Sequence, residues 1–307
     1  MNDKKIIQKY SRVPEANDTN KIVVLDNQVL VSQTFDKFNA KVWTKENKIF
    51  LNVDIPAGLK LQKPVSLCFA ALHKKVTQDI NININLGKNS QAVFLSDCVL
   101  TGDEGVRHNM LASINLDQGA SYSYLEKHVH SQKDGVYLTP TSKVKLGKNT
   151  FFKLDFELLE GRMGKTIFDY DILADEGAVI DIETRLKAIS DDQVTLKESV
   201  ILAGKSAKAV LKSRVAALDN SQIEIFNTIS AQAAKTFGHI DCQEVLLGNG
   251  KVKAYPNAEV LNPTARVTHE ASLGGLDNKK LETLMARAKS KKEAEEILLQ
   301  GMLSKKN

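Results

Sequence analysis

A chain of 307 residues, 42% hydrophobic and 26% charged, has the balance of a folded globular protein and is long enough for one large domain or two. Its net charge of +5 is spread out, with no stripe of Lys and Arg interleaved with aromatics, so no nucleic-acid interface is expected. Three well-separated cysteines, Cys68, Cys98 and Cys242, exclude a disulfide framework.

Ile6, Ile7 and Tyr10 predict a short helix, followed by a polar loop with Pro14, Asn17 and Asp18. Residues 23–25, 49–53 and 65–69 are strand candidates, separated by turn residues such as Pro56-Ala57-Gly58. The chain then repeats itself. Leu86, Leu116, Leu146, Leu173 and Leu202 each lead into a turn containing glycine, and each turn precedes an apolar strand. These leucines are spaced by roughly 30 residues, slightly less in the last two intervals, and no helical pattern intervenes. A near-constant interval of this kind predicts stacked coils of a β-helix, because each coil buries its inward side chains only against its neighbours. The expected organisation is a helix and strand segment over residues 1–78, a β-helix over 79–272 and a helical segment over 273–307.

In the last segment Leu281, Leu284, Met285 and Ala288 recur at helical spacing. Ser290 and Glu293 form a capping box that opens a second helix, with Ala294, Ile297 and Leu298 on one face. No Pro/Ser-rich linker precedes these helices, so they are expected to dock on the β body or to meet a partner. The polar start of the chain and the lack of an apolar run of about 18 residues point to a cytoplasmic protein with no membrane contact.

Chemistry centres on Cys242, His269 and Glu270, a thiol, an imidazole and a carboxylate that suit iron if they converge. Taken singly, Cys242 has the ordinary role of a core cysteine, although polar neighbours Asp241, Gln243 and Glu244 favour some accessibility. His269 and Glu270 are adjacent, so on a strand they point to opposite faces. His128 and His130 share a strand face and form a candidate ligand pair, with two surface histidines as the commoner alternative. Cys68 and Cys98 read as core cysteines. Gly204-Lys205-Ser206 lacks the glycine five positions earlier that a phosphate-binding loop needs, since Ser199 stands there. No G-x-G-x-x-G, C-x-x-C, H-E-x-x-H or G-x-S-x-G motif occurs, which removes the common enzyme routes.

Residues 240–248, Tyr255-Pro256-Asn257-Ala258-Glu259 and residues 265–277 resemble the C-terminal part of the SufB/SufD scaffold proteins of the SUF iron–sulfur cluster assembly system. The resemblance extends to the closing helices near residue 303, and in looser form back to residue 50. It implies a mainly β fold, a right-handed parallel β-helix with short N- and C-terminal helical segments. It also implies dimerisation through the last strands, as a homodimer or a SufB–SufD pair, and docking of the C-terminal helices onto a SufC-like ABC ATPase. In the SufB branch the counterparts of Cys242 and Glu270 belong to the nascent-cluster site. His269 matches the position where the SufD branch contributes.

The function so implied is that of a scaffold and not an enzyme. It would build a transient iron–sulfur cluster with a sulfur donor and pass it to apo-protein acceptors. A flavin is compatible with the resemblance but indicated by no residue pattern. Two departures stand out. The chain is shorter than a typical SufB, and the long N-terminal extension has no counterpart. Where longer SufB chains carry a Glu-Gly-Cys used in sulfur transfer, this sequence reads Glu126-Lys127-His128, which makes His128 an additional candidate ligand. Two alternatives stay open, a SufD-like accessory subunit that nucleates no cluster and a β-helix carbohydrate-active protein. The second is disfavoured by the Cys/His/Glu set and the absence of a secretory signal.

Overall fold

The computed structural model describes residues 2–102, 104–133 and 135–304. Strict apolar/polar alternation along ten-residue stretches such as Thr77–Leu86 buries every second side chain, the pattern of a strand with one face on a core. The strands form two sheets. The first contains β1 (Asn20–Leu25), β5 (Val65–Ala71), β7 (Gln91–Leu100), β9 (Ser121–His130), β11 (Phe151–Glu160), β13 (Val179–Ala188), β15 (Lys208–Ala217), β17 (Phe237–Leu246) and β19 (Arg266–Gly274), with β2 (Gln28–Gln33) at its N-terminal edge. The second contains β3 (Asn39–Lys45), β4 (Lys48–Ile55), β6 (Thr77–Leu86), β8 (Arg107–Leu116), β10 (Tyr137–Leu146), β12 (Lys165–Ala174), β14 (Gln193–Leu202), β16 (Gln222–Ala231) and β18 (Lys251–Val260).

Successive strands from β4 onward alternate between the sheets, so each strand pairs in parallel with the one a full coil away. The result is a β-solenoid of about eight coils, the expected mainly β architecture with short terminal helices. Its rungs begin before residue 79, because β4 pairs with β6 and β5 with β7. The lumen is filled by large side chains, among them Phe94, Tyr122, Phe152, Phe156 and Phe168. Each such burial stabilises by about 1.5–3 kcal/mol relative to exposure.

The repeat is more regular than its leucines. The register runs Leu86, Leu116, Leu146, Ala174, Leu202, so Ala174 and not Leu173 holds the inward column, and the coils on either side of it are equal in length. Leu173 points outward and is exposed. A shift of one residue exchanges the faces of a strand, which is why counting from leucine to leucine makes those two coils unequal. The corner after this column needs left-handed backbone. Asn89, Gly119, Asn149 and Gly177 occupy it with φ between 53° and 71°. A Cβ on Gly177 would lie 2.2 Å from Asn149 Oδ1, so glycine alternates with asparagine because the asparagine side chain fills its neighbour's space.

The N-terminal end is closed by antiparallel pairing of β1 with β2 and β3 with β4, and by α1 (Asp3–Tyr10). Ile7 of that helix packs on the outer face of the first sheet with Val23, Cys68, Ala70 and Val99. The other end is open. β18 and β19 have a strand neighbour on one side only. Two helices follow, α2 (Asn278–Met285) and α3 (Lys291–Leu303). The predicted capping box is present, Ser290 accepting from the Glu293 N–H while the Glu293 carboxylate accepts from the Ser290 N–H at 2.8 Å. Helix α2 stops at Met285, and Ala288, expected on its apolar stripe, has φ +59° instead. On α3 the docked face is Ala294, Leu299, Met302 and Leu303, which covers Ala216 and Val245 of the first sheet. Ile297 is exposed, contrary to the face read from spacing.

Candidate functional site

The open last coil carries the residues picked out by sequence. Cys242 lies on β17 and points into the lumen, 2% exposed, so its polar neighbours do not make it accessible. Its Sγ accepts from Asn227 Nδ2 at 3.7 Å, and Asn227 Nδ2 also reaches Ser213 Oγ at 3.5 Å. Burial pushes the thiol up to about 11, against the hydrogen bond from Ser213. A thiol in that state binds iron only by giving up its proton to make the thiolate.

The partner strand β19 pairs Ile240 with His269, Asp241 with Glu270 and Cys242 with Ala271. Paired residues of parallel strands share a face. His269 therefore lies on the lumen-facing side diagonal to Cys242, while Glu270 lies with Asp241 on the outer face. Both are exposed because no further rung covers β19. The strand-face separation of His269 and Glu270 thus holds within one chain, and Cys242, His269 and Glu270 do not close into one cluster.

Sequence reasoning overlooked Glu244, which shares the inward face of β17 with Cys242. It is 1% exposed, neither carboxylate oxygen has a hydrogen-bond partner, and burial lifts it to about 7 against the pull of Arg214. Arg214 is itself held by Asp241, Nη1 to Oδ1 at 3.1 Å. Glu244 borders a groove between the ends of β17 and β19 and the helices, lined also by Ser272, Leu276, Lys280 and Leu298.

A second cluster lies four rungs deeper, fully enclosed. His128 and His130 are both buried, which overturns the surface-pair alternative. Lys127, between Glu126 and His128, points outward to Glu160 at 3.1 Å. Glu126 and His128 point inward, with His128 Nε2 3.1 Å from Glu126 Oε1. Cys98 on β7 is the rung partner of His128, and its Sγ stands 3.7 Å from both Glu126 Oε1 and His108 Nε2. Cys98, Glu126 and His128 have one ligand atom each within 4.8 Å of one another, and among the described residues they form the only such group. Cys98 is thus more than the plain core cysteine expected. The signal that could have found it is the repeat itself, since a single period links Ser96 to Glu126 and Cys98 to His128.

Among the described residues no helix is long and apolar enough to cross a membrane. Residues 70–302 match the family described as SUF system FeS cluster assembly, SufBD core domain. The chain is similar to an iron–sulfur cluster assembly SufBD family protein of Methanocaldococcus jannaschii, 34% identical over 92% of this chain and 90% of that protein. It is also similar to a SufBD family protein of Pyrococcus horikoshii, 31% identical over 84% and 78%. The iron–sulfur cluster assembly protein SufB of Bacillus subtilis is 22% identical over 88% of this chain and 57% of its own length. A β-solenoid matched to one family over residues 70–302 gives a single conclusion: the chain belongs to the SufB/SufD family of iron–sulfur cluster assembly proteins.

Proposed function

We propose that this protein is a cytoplasmic scaffold without turnover chemistry of its own, on which iron and sulfide assemble before transfer to apo-proteins. The observation that carries this reading is the open last coil. It sets Cys242 and His269 on one inward face, Glu270 on the other, and leaves the edges of β18 and β19 unpaired. A second scaffold chain meeting this edge would cover exposed Tyr255, Val260, Leu261 and Leu273 and bring two half-sites face to face. Cys242 would bind as thiolate, while His269 and Glu270 supply harder donors that release the cluster more readily. Iron would displace the thiol proton, and Glu244, two positions along on the same face, is placed to receive it when ionised as the carboxylate.

Helix α2 buries no residue on the body and carries Lys279 and Lys280 in its first turn. It is the element offered to an ABC-type ATPase, and α3, packed on Ala216 and Val245, would carry ATPase movement to β15 and β17. A SufD-like accessory role is the second reading, favoured by the deep burial of the Cys242 thiol. Family membership removes the ground for a carbohydrate-active protein.

Anaerobic reconstitution with iron and sulfide separates the two. The wild type is expected to develop visible charge-transfer absorption that Cys242→Ala loses. A colourless wild type refutes the scaffold reading, and colour unchanged by the substitution refutes the site. Light scattering on the complex co-expressed with its ATPase should show two scaffold copies; a single copy refutes the paired half-sites.

A further inference from the structure

The enclosed cluster of the middle coils has a proton arrangement that its neighbours dictate. His130 Nδ1 lies 2.9 Å from the Arg162 carbonyl oxygen, which can only accept, so Nδ1 carries the proton. The ring is enclosed where a charge would lie unsolvated, so it is neutral and its Nε2 is a bare acceptor. His128 Nδ1, 3.1 Å away, must then donate to it. His128 is enclosed in the same way, which leaves its Nε2 bare and aimed at Glu126. The same logic orients His108. Its Nδ1 faces Gln78 Oε1 at 2.9 Å, and the amide nitrogen of Gln78 is already engaged with the carbonyls of Asp26 and Ala70. His108 Nδ1 donates, and its Nε2 lone pair is left pointing at Cys98 Sγ.

The His128 lone pair, one thiol and one carboxyl thus converge in an enclosed space, with the His108 lone pair directed at the thiol from beside it. Each imidazole is oriented by an N–H donated to an oxygen or ring nitrogen behind it, the arrangement that orients metal-bound histidines. Glu126 Oε2 is fully buried and has no hydrogen-bond partner. The spacing is also specific. An ion bound tetrahedrally at about 2.0–2.3 Å holds its ligand atoms roughly 3.3–3.7 Å apart. Here His128 Nε2 lies 3.1 Å from Glu126 Oε1 and Glu126 Oε1 lies 3.7 Å from Cys98 Sγ, all three ligand atoms falling within 4.8 Å of one another, while His108 Nε2, 3.7 Å from Cys98 Sγ, stands outside that group.

We propose that Cys98, Glu126 and His128 form an internal site for one divalent first-row transition ion, with His108 set behind the Cys98 thiol, separate from the half-site at Cys242. Without the ion, Glu126 donates its proton to His128 Nε2 and the Cys98 S–H turns to His108 Nε2, so every group is neutral. Binding replaces those two protons with the ion. The thiolate and carboxylate then balance its two positive charges, and two protons leave to solvent. No electron changes hands. Net neutrality in both states is what a fully enclosed site requires. A small cavity beside Glu126, lined by Met110, Tyr124, Ser142 and Tyr170, leaves the carboxyl room to turn. The ion would fasten β7 to β9, neighbouring strands of the first sheet.

The site belongs to the full-length chain and does not depend on the scaffold reading, so the test uses Cys242→Ser protein. The chain is refolded from denaturant with zinc, because an enclosed site loads as its coils close, and then dialysed against chelator. The expected result is about one zinc per chain, with an X-ray absorption spectrum showing one sulfur neighbour at about 2.3 Å and nitrogen or oxygen neighbours at about 2.0 Å. Cys98→Ser should remove the sulfur neighbour, and Glu126→Gln should weaken retention at least about tenfold. Zinc lost on dialysis, a spectrum without sulfur, or one unchanged by Cys98→Ser would each overturn the site and leave a metal-free hydrogen-bonded cluster. Should the site variants fail to fold, the sulfur neighbour in the Cys242→Ser protein still decides, because Cys68 faces outward under α1.

Discussion

The middle and last coils place the same residue types on the same inward face with opposite results. Cys98 and His128 are rung partners with coils above and below, and burial raises both the Cys98 thiol and the Glu126 carboxyl toward their neutral forms. Cys242 and His269 occupy a similar pair of rungs, but the stack ends at β19, so the imidazole stands in solvent. In a solenoid a residue's surroundings depend less on its own strand than on whether another coil follows. A side chain of the middle coils is enclosed on both sides, whereas the His269 imidazole on the last coil is open to solvent.

That contrast is tested most strongly by truncating packed rings. Phe156 is fully buried between His128 and Phe168, with ring centroids 4.9 and 4.8 Å away. Phe156→Ala should cost about 3–5 kcal/mol in denaturant unfolding. Tyr255→Ala, which loses a stack on Phe226 at the half-exposed last rung, should cost less than about 1 kcal/mol in the isolated chain. Equal costs would break the comparison.

A smaller effect comes from enclosed charge. Burial lifts Glu198 to about 7, and among the described residues its only hydrogen bond is from Thr184 Oγ1 at 2.6 Å. Between pH 4.5 and 7 the folded chain then binds more protons at this site than the unfolded one, so its contribution falls as pH rises through that window. Glu198→Gln should match the wild type below pH 4.5 and exceed it by roughly 3 kcal/mol at pH 8. A variant no more stable at pH 8 would show that the carboxylate finds solvation in the lumen. The buried histidines act with the opposite sign. His128 and His130, held down to about 3, bind fewer protons folded than unfolded, so they withdraw stability as pH falls below 6.5. The loss should be steepest below pH 4.5, where Glu198 no longer opposes it.

Backbone strain gives the least effect. Gly177→Ala at φ +68° should cost about 1–2 kcal/mol plus displacement of Asn149, and Asn149→Gly in the same chain should recover the displacement part. Thermal melts of the single and double variants measure both. Absence of any recovery would mean that the asparagine does not fill the glycine's space.

Much of this is legible in the chain. The interval between turns predicts stacked coils because a β-helix must return to the same corner at a constant length. The capping box at Ser290 is equally local, since both partners lie within one helical turn. Contacts that cross rungs are harder to read. Leu173 is taken as the marker of its coil because a leucine one residue out of register has the same composition as one in register. Only its pairing with Lys145 on one side and Ile201 on the other puts it on the outer face. Ile297 is misplaced for a related reason, as spacing defines an apolar stripe but not which part of it meets β15.

Residue type and short spacing were enough to set the period, the strand alternation and the chemistry of Cys242, His269 and Glu270, all of which are local properties. Which groups meet was settled by the stacking of the coils alone. Cys98 is a whole period from His128 along the chain and one strand spacing away across the sheet, while His269 and Glu270 are adjacent in sequence and lie on opposite faces. The physical reason is that a solenoid makes its contacts a full coil apart, where closeness in sequence carries no information about closeness in space.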